Sequence, residues 1–202
     1  MRTLAHLLVT LAGCLTQQSR FVEAQVAASE ALDLAETANS LSIAATAHYR
    51  IAFLLVKQGN PLLTKVHYQQ AEELAERSAN TDILIHTLVN MAFVARTEAN
   101  LPLARRYYAQ ALQICRQEQL PHSECRILSG LVQHYQHEGD FLLAKQWGEE
   151  ALTLAQQKRK LVLGSTRFYT FSKPVHLMPP KNRRVSISPA IKSSSAPPIH
   201  AP

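Results

Sequence analysis

Four segments of the chain align with one another at a constant spacing of 40 residues, without a gap. The segments are SRFVEAQVAASEALDLAE from Ser19, GNPLLTKVHYQQAEELAE from Gly59, ANLPLARRYYAQALQICR from Ala99 and GDFLLAKQWGEEALTLAQ from Gly139. Repeats of this length are single supersecondary units that cannot bury an apolar face alone, so they stack on their neighbours. The spacing therefore predicts a stacked repeat array over the body of the chain.

The pattern inside each repeat is that of two helices. Apolar residues precede each segment at the spacing i, i+1, i+4, as in Ile51, Ala52 and Leu55, which places them on one face of a helix A. A turn follows in three repeats, Gly59-Asn60, Ala99-Asn100 and Gly139-Asp140, and Asn and Asp are good N-caps for a helix B. We therefore predict an all-α chain in which each repeat is helix A, a tight turn, helix B and a longer loop. The predicted repeats span 2–40, 41–80, 81–120 and 121–157.

These repeats resemble the tetratricopeptide repeat (TPR). The stretch GDFLLAKQWGEEALTLA shows that family's Gly-Asp turn, its small and large positions and its Ala-Leu near the end of helix B. The usual TPR period is about 34 residues, and six more are added here, in stretches such as LAETANSLSIAATAH and QICRQEQLPHSECR. The longer form resembles the TPR region of MalT-like regulators and related bacterial signalling ATPases, over residues 2–157. The resemblance implies a right-handed superhelical solenoid of about four helix-turn-helix hairpins.

The resemblance also implies a non-catalytic role. TPR arrays bind protein or peptide partners on a concave face that helix A lines, and in MalT-like regulators such an array receives a signal. The chain contains no Walker A motif and no helix-turn-helix pattern. We therefore expect a protein-protein interaction or signal-sensing module, a detached or truncated part of a MalT-like transcriptional regulator.

The outward positions of helix A define the expected binding site. They are Tyr49, Phe53, Val56, Lys57, His86, Val89, Phe93, Arg96, Arg126, Gln133 and His137. No acidic residue is among them, and Phe53 and Phe93 take equivalent places in adjacent repeats. Exposed aromatic residues flanked by cations suit a partner with apolar and acidic groups; the alternative is that both Phe side chains pack between repeats as core. Val9 and Tyr49 stand where chaperone-binding TPRs carry a clamp lysine, so we expect no binding of chaperone C-termini.

Catalytic motifs are absent from the sequence. There is no Gly-rich phosphate loop, nucleophile elbow or H-E-x-x-H pattern. His134 and His137 lie three residues apart on a helix and lack a third ligand, so we expect no metal site there. Cys115 replaces the alanine of its repeat and is expected in the core rather than as a nucleophile. We accordingly expect no enzyme activity, no small-molecule substrate and no cofactor.

The N-terminal stretch MRTLAHLLVTLAGCLTQQ admits two interpretations. The letters LAGC resemble a lipobox, in which Cys14 would be lipidated and the protein would be an exported, membrane-anchored TPR lipoprotein. The repeat register instead makes Leu8, Leu11, Ala12 and Leu15 the core positions of the first helix A. We expect this second interpretation and a cytoplasmic protein.

Cysteine usage and apolar run length agree with a cytoplasmic location. The three cysteines are odd in number and contain no C-x-x-C pair, which favours a reducing compartment. No apolar run approaches the roughly 18 residues that span a bilayer. Because solenoids normally shield their terminal repeats, we also expect a piece of a longer array, or self-association through uncapped ends.

The basic character of the chain lies in its C-terminal tail. Residues 158–202 hold nine Lys and Arg and no acid, whereas residues 1–157 hold twelve basic and fifteen acidic residues. We expect a capping segment over 158–177 and a disordered, Pro- and Ser-rich tail over 178–202. Nucleic-acid binding by this tail is an alternative function. The simpler interpretation, which we favour, is a solvated tail without a binding role.

Overall fold

The structure, a computed structural model, describes the backbone of residues 1–169 and the side chains of residues 1–157. The described residues form eight α-helices in four consecutive hairpins. The helices are α1 (Arg2–Gln17), α2 (Phe21–Thr37), α3 (Leu41–Gln58), α4 (Pro61–Arg77), α5 (Thr81–Thr97), α6 (Leu101–Gln117), α7 (Pro121–Glu138) and α8 (Phe141–Tyr169). Odd-numbered helices are the helices A of their repeats and even-numbered ones the helices B, which confirms the predicted all-α solenoid of four hairpins. The helix α8 runs into the expected capping segment 158–177, and the expected disordered segment 178–202 lies outside the described residues.

Side-chain caps fix where most of the helices B begin. The amide oxygen of Asn60 accepts a hydrogen bond of 3.3 Å from the backbone N–H of Leu63. Asn100 and Asp140 accept the corresponding bonds in α6 and α8, so the predicted caps are confirmed. Asn80 caps α5, a helix A, in the same way. Each bond satisfies one of the backbone donors that a helix start leaves unpaired.

The connections between repeats are three residues long, against two or three residues within repeats. Each helix B is followed by three residues before the next helix A: 38–40, 78–80 and 118–120. The prediction of a longer loop is therefore wrong. The six added residues lengthen the helices of the first three repeats to 16–18 residues, since Ala35 and Ala44 continue the buried face on both sides of a turn. These tight turns place Asn39, Ala79 and Gln119 at φ values of 50°, 52° and 54°.

Contacts between successive repeats place helix A on the inner side of a curved array. The backbones of α1 and α3, of α3 and α5, and of α5 and α7 approach within 8 Å between Cα atoms. The helices B α2, α4 and α6 make no such approach to one another. A stack whose helices A are closer together than its helices B curves toward helix A. The concave face is therefore built by helix A, as the resemblance implied.

Alanine allows this close packing. Fully buried alanines recur at the crossing points of both helix types: Ala12, Ala52 and Ala92 in helix A, and Ala31, Ala71 and Ala111 in helix B. Helix axes approach to about 8–10 Å only where the contact residues are small. The described helices include none that is long and apolar enough to cross a membrane.

The first helix departs from its expected core at one position. Ala12 and Leu15 are buried as predicted, but Leu11 is 48% exposed. Its counterparts Ile51 and Met91 are buried against helix B of the preceding repeat. No described helix lies in that place before α1. The prediction that Leu11 belongs to the core is therefore wrong, because periodicity within one repeat does not show which neighbour covers it.

Candidate functional site

Most of the expected site residues are accessible on helix A. Lys57, Phe93, Arg126, Gln133 and His137 are exposed. A second group is half-buried between neighbouring helices A: Phe53, Val56, His86, Val89 and Arg96. The expected site residues therefore include ten side chains that solvent reaches.

Tyr49 is the exception. It is only 8% exposed and packs in a core cluster with Ala52, Tyr68 and Met91. Its hydroxyl accepts a hydrogen bond of 3.2 Å from the side-chain amide of Asn90 in the next repeat. The prediction of an outward Tyr49 is wrong, because its large ring reaches into the gap between repeats and α5 covers it. Tyr49 holds two repeats together rather than offering a surface to a ligand.

Each of the two phenylalanines of the expected site has a cation from its own helix close to its ring. The Lys57 Nζ atom lies 5.5 Å from the centroid of the Phe53 ring, and the Arg96 Cζ atom lies 5.3 Å from that of Phe93. Phe93 is 41% exposed, and neither ring belongs to a buried core cluster. These are cation–π distances. The alternative interpretation, that both Phe side chains pack as core between repeats, is therefore wrong for Phe93. The Phe53 side chain is half-buried.

Arg50 is a site residue that sequence reasoning missed. It borders an open cavity of 380 Å³ between α1 and α3, whose other polar lining includes His6, Gln17 and Thr46. Its guanidinium lies directly over Gly13, where an added Cβ would be 2.9 Å from an Nη atom. The Nε atom is buried and has no hydrogen-bond partner. The signal in the sequence is the glycine at 13, where the next two repeats carry Phe53 and Phe93.

The concave face consists of eleven helix A residues, which are the accessible residues of the expected site together with Arg50. They are Arg50, Phe53, Val56, Lys57, His86, Val89, Phe93, Arg96, Arg126, Gln133 and His137.

The cations of the concave face differ from those of helix B in their pairing. On helix B, Lys65 pairs with Glu98 at 2.7 Å, and Arg105 with Glu138 at 2.8 Å. Helix B residues Arg77, Arg116 and Lys145 also have acidic partners, and Arg106 is the one helix B Lys or Arg within residues 1–157 that has none. Within residues 1–157, none of the four concave-face Lys and Arg side chains has an ion-pair partner: Arg50, Lys57, Arg96 and Arg126. The concave face therefore presents positive charge that its own fold does not neutralise.

His86 adds no charge to this face near neutral pH. Burial, and to a lesser extent the positive charge of Arg126, lower the pKa of His86 to about 4. His86 is therefore neutral at pH 7 and lies with its ring centroid 5.7 Å from that of Tyr49. The permanent charge of the face comes from its arginines and Lys57.

His134 and His137 do not form a shared ligand face. His134 is fully buried, and burial lowers its pKa, whereas His137 is exposed. No group of three potential metal ligands occurs in the part of the chain that the structure describes. Cys115 is fully buried and its pKa is raised to about 11, mainly by burial, so it is a core thiol rather than an activated nucleophile.

Comparison with known proteins gives the class of the chain. The family model of the tetratricopeptide repeat matches residues 42–117 and 83–157. These two overlapping matches cover more than half of the chain, and the chain belongs to the tetratricopeptide repeat family. No curated protein matches it.

Solved structures show the same fold. The crystal structure of BtubC (BKLC) from P. vanneervenii is similar with a TM-score of 0.66 at 17% identity, over 95% of this chain and 71% of that chain. The crystal structure of aspartyl phosphate phosphatase F from Bacillus subtilis is similar with a TM-score of 0.72 at 13% identity, over 78% of this chain. The match spans 41% of that phosphatase. At these identities the likeness is one of fold.

Proposed function

We propose that this protein is a non-catalytic interaction module that holds a segment of a partner protein on its concave face. The partner segment supplies apolar side chains and carboxylates. The observation that carries this proposal is the contrast in ion pairing within residues 1–157, because five of the six Lys and Arg side chains of helix B have acidic partners and the four cations of the concave face have none. Membership of the tetratricopeptide repeat family supports a protein or peptide as the ligand.

The aromatic residues supply the anchor. Phe53 and Phe93 recur one repeat apart, and each brings a cation beside its ring. A partner's apolar side chain that packs on such a ring also places a neighbouring carboxylate near Lys57 or Arg96. Aromatic and Arg side chains dominate binding energy in many interfaces, while steering by charge sets the association rate.

The cavity at Arg50 extends this surface toward the first repeat. Its guanidinium is held in place by contact with Gly13 and by the Tyr49 ring, whose centroid lies 5.7 Å from Cζ. A guanidinium held in one position can form two parallel hydrogen bonds with a carboxylate. The Arg50 cavity is the place where we expect an acidic side chain of the partner.

The wider setting that we propose is bacterial signalling in the cytoplasm. The 40-residue repeats, and the ALDLA and ALTLA endings of helix B in the first and fourth repeats, favour a MalT-like regulator as the source of this array. In that setting the concave face receives the signal, and other domains act on it. The alternative of an exported lipoprotein depends on Cys14, which lies exposed within α1. The intact mass of the protein from its host distinguishes a chain that starts at Met1 from one that starts at an acylated Cys14.

A peptide array tests the proposal directly. The full chain is applied to peptides that vary independently in apolar and acidic content. We expect binding to peptides that have both, and its loss when their Asp and Glu are changed to Asn and Gln. The variant with Phe53→Ala and Phe93→Ala should bind at least about tenfold more weakly, as for truncated interface anchors.

Matched variants on helix B give the control. Leu62 and Val66 are exposed apolar residues of α4, so Leu62→Ala with Val66→Ala removes similar surface from the other side of the array. We expect this variant to bind as the wild type does. Binding that survives both concave-face substitutions, or that is lost equally in the control, would show that the ligand surface lies elsewhere.

A further inference from the structure

One pair of positions distinguishes the second repeat from the other three. At the position of His48, the other repeats have leucine: Leu8, Leu88 and Leu128. At the position of His67, they have Ala27, Tyr107 and Trp147. The second repeat therefore replaces an apolar pair by two histidines at once.

The two histidines meet inside the α3–α4 hairpin. The Nδ1 atom of His48 lies 2.9 Å from the Nδ1 atom of His67. The ring centroids are 5.1 Å apart, and the ring planes are inclined by 41°. Both side chains are half-buried. The same ring nitrogen of each imidazole therefore lies within hydrogen-bond distance of the other, between α3 and α4.

We propose that His48 and His67 form a chelating site for a late first-row divalent metal ion. Metal–imidazole bonds are about 2.0–2.1 Å long. Two such ligands at a right angle place their nitrogen atoms about 2.9 Å apart, whereas a tetrahedral angle requires about 3.3 Å. The separation in the hairpin matches the right angle, which is the angle between neighbouring ligands in square-planar or octahedral coordination.

This geometry selects among the metals that imidazole binds. Cu²⁺ and Ni²⁺ take tetragonal or square-planar arrangements of nitrogen and oxygen, and Zn²⁺ favours the tetrahedral one. Cu²⁺ also stands highest in the affinity order of the divalent series. The described residues offer no group of three His, Cys, Asp or Glu, so the proposed site has two protein ligands and needs water for its other positions.

The position of the site gives the ion a structural consequence. An ion held by His48 on α3 and His67 on α4 bridges the two helices of one hairpin. His48 precedes Tyr49, which packs against the third repeat, and α3 also carries Phe53. Any ion that binds the folded hairpin and not the unfolded chain stabilises the fold by mass action.

The chain itself supplies the control for a binding experiment. The variant His48→Leu with His67→Tyr gives the second repeat the pair that the third repeat has, Leu88 and Tyr107. Isothermal titration of the full chain with CuCl₂ and with NiCl₂ measures the stoichiometry, and the spin-resonance spectrum of the Cu²⁺ complex counts its coordinating nitrogens. Circular dichroism checks that the variant is helical.

The proposal predicts one site in the wild type that the variant lacks. That site should show two imidazole nitrogens bound to Cu²⁺, and metal should raise the melting temperature of the wild type more than that of the variant. His6, His122 and His137 are exposed among the described residues and provide background binding, so a second variant with His6→Gln, His122→Gln and His137→Gln should keep the proposed site. A wild-type chain without metal-dependent stabilisation, or equal binding by wild type and Leu–Tyr variant, would show that the two imidazoles only share a hydrogen bond.

Discussion

Gly130→Ala tests the packing between the third and fourth repeats. Gly130 lies in the middle of α7, and a Cβ built on it would be 2.7 Å from Cε1 of Tyr108 and 3.2 Å from both Cζ and the hydroxyl oxygen. Tyr108 is 2% exposed and belongs to a core cluster with Ile127 and Leu131. Its ring therefore cannot move away without displacing other buried side chains. The contact should cost about 1–3 kcal/mol, which is the usual range for overpacking.

Helix propensity acts in the opposite direction. Replacing an interior helical Gly with Ala stabilises a helix by up to about 1 kcal/mol. Gly148 in α8 isolates this term, since its added Cβ would meet only Val132 Cγ2, at an ordinary 3.7 Å. We therefore expect Gly148→Ala to gain up to about 1 kcal/mol and Gly130→Ala to lose up to about 2 kcal/mol. The two variants should then differ by roughly 1–3 kcal/mol, or about 2–12 °C in melting temperature.

Urea denaturation followed by far-ultraviolet circular dichroism measures both variants against the wild type. Gly130 and Gly148 belong to the same α7–α8 hairpin, so both changes report on the same part of the array. If Gly130→Ala is less stable than the wild type and Gly148→Ala is more stable, the close packing of Gly130 against Tyr108 is supported. If Gly130→Ala were as stable as Gly148→Ala, the close contact with Tyr108 would be refuted.

Three further predictions concern turns, packing and pH. Ala99 has a φ of 59°, a left-handed conformation that costs energy for a residue with a Cβ, and two other repeats have Gly59 and Gly139 at this position. Ala99→Gly should therefore stabilise the fold by up to about 1 kcal/mol. A lower urea midpoint would contradict this. Ala92 is fully buried, and Ala92→Leu should destabilise by about 1–3 kcal/mol, whereas an unchanged melting temperature would refute the repeat register. His86 has a folded-state pKa of about 4 against an ordinary 6.5, so the unfolded chain binds its proton more readily. The contribution of neutral His86 to the free energy of unfolding is fully present above pH 6.5 and decreases as the pH falls toward 4. At pH 5 the loss reaches up to about 2 kcal/mol. Urea midpoints should therefore drop between pH 7 and pH 5, and less so in His86→Gln; equal drops would refute the assignment.

The sequence predicts those parts of the fold that repeat. The 40-residue spacing, the caps at Asn60 and Asn100 and the buried alanines all depend on local pattern, and the structure confirms them. The expected longer loop failed because a turn with a left-handed residue such as Gln119 carries no glycine to mark it. The apolar periodicity continues through the six residues added to each repeat, so these residues lengthen the helices and do not form a loop.

Relations between repeats are what the sequence could not supply. Leu11 and Tyr49 have the same periodic signal as their neighbours, but their exposure is set by whether an adjacent helix covers them. Arg50 was missed for a similar reason, since its side chain crosses to Gly13 in another repeat. The fold follows from one repeat, whereas the candidate site depends on how two repeats face each other.

The most direct test of the concave face is photo-crosslinking from single positions in the host cell. A photoreactive phenylalanine analogue replaces Phe53 or Phe93 on helix A, or Leu62 or Val66 on helix B. We predict partner adducts from positions 53 and 93 and none from 62 and 66. Adding Arg50→Gln with Arg126→Gln should remove those adducts, whereas Arg106→Gln on the helix B side should leave them. Adducts from the helix B positions alone would contradict the account.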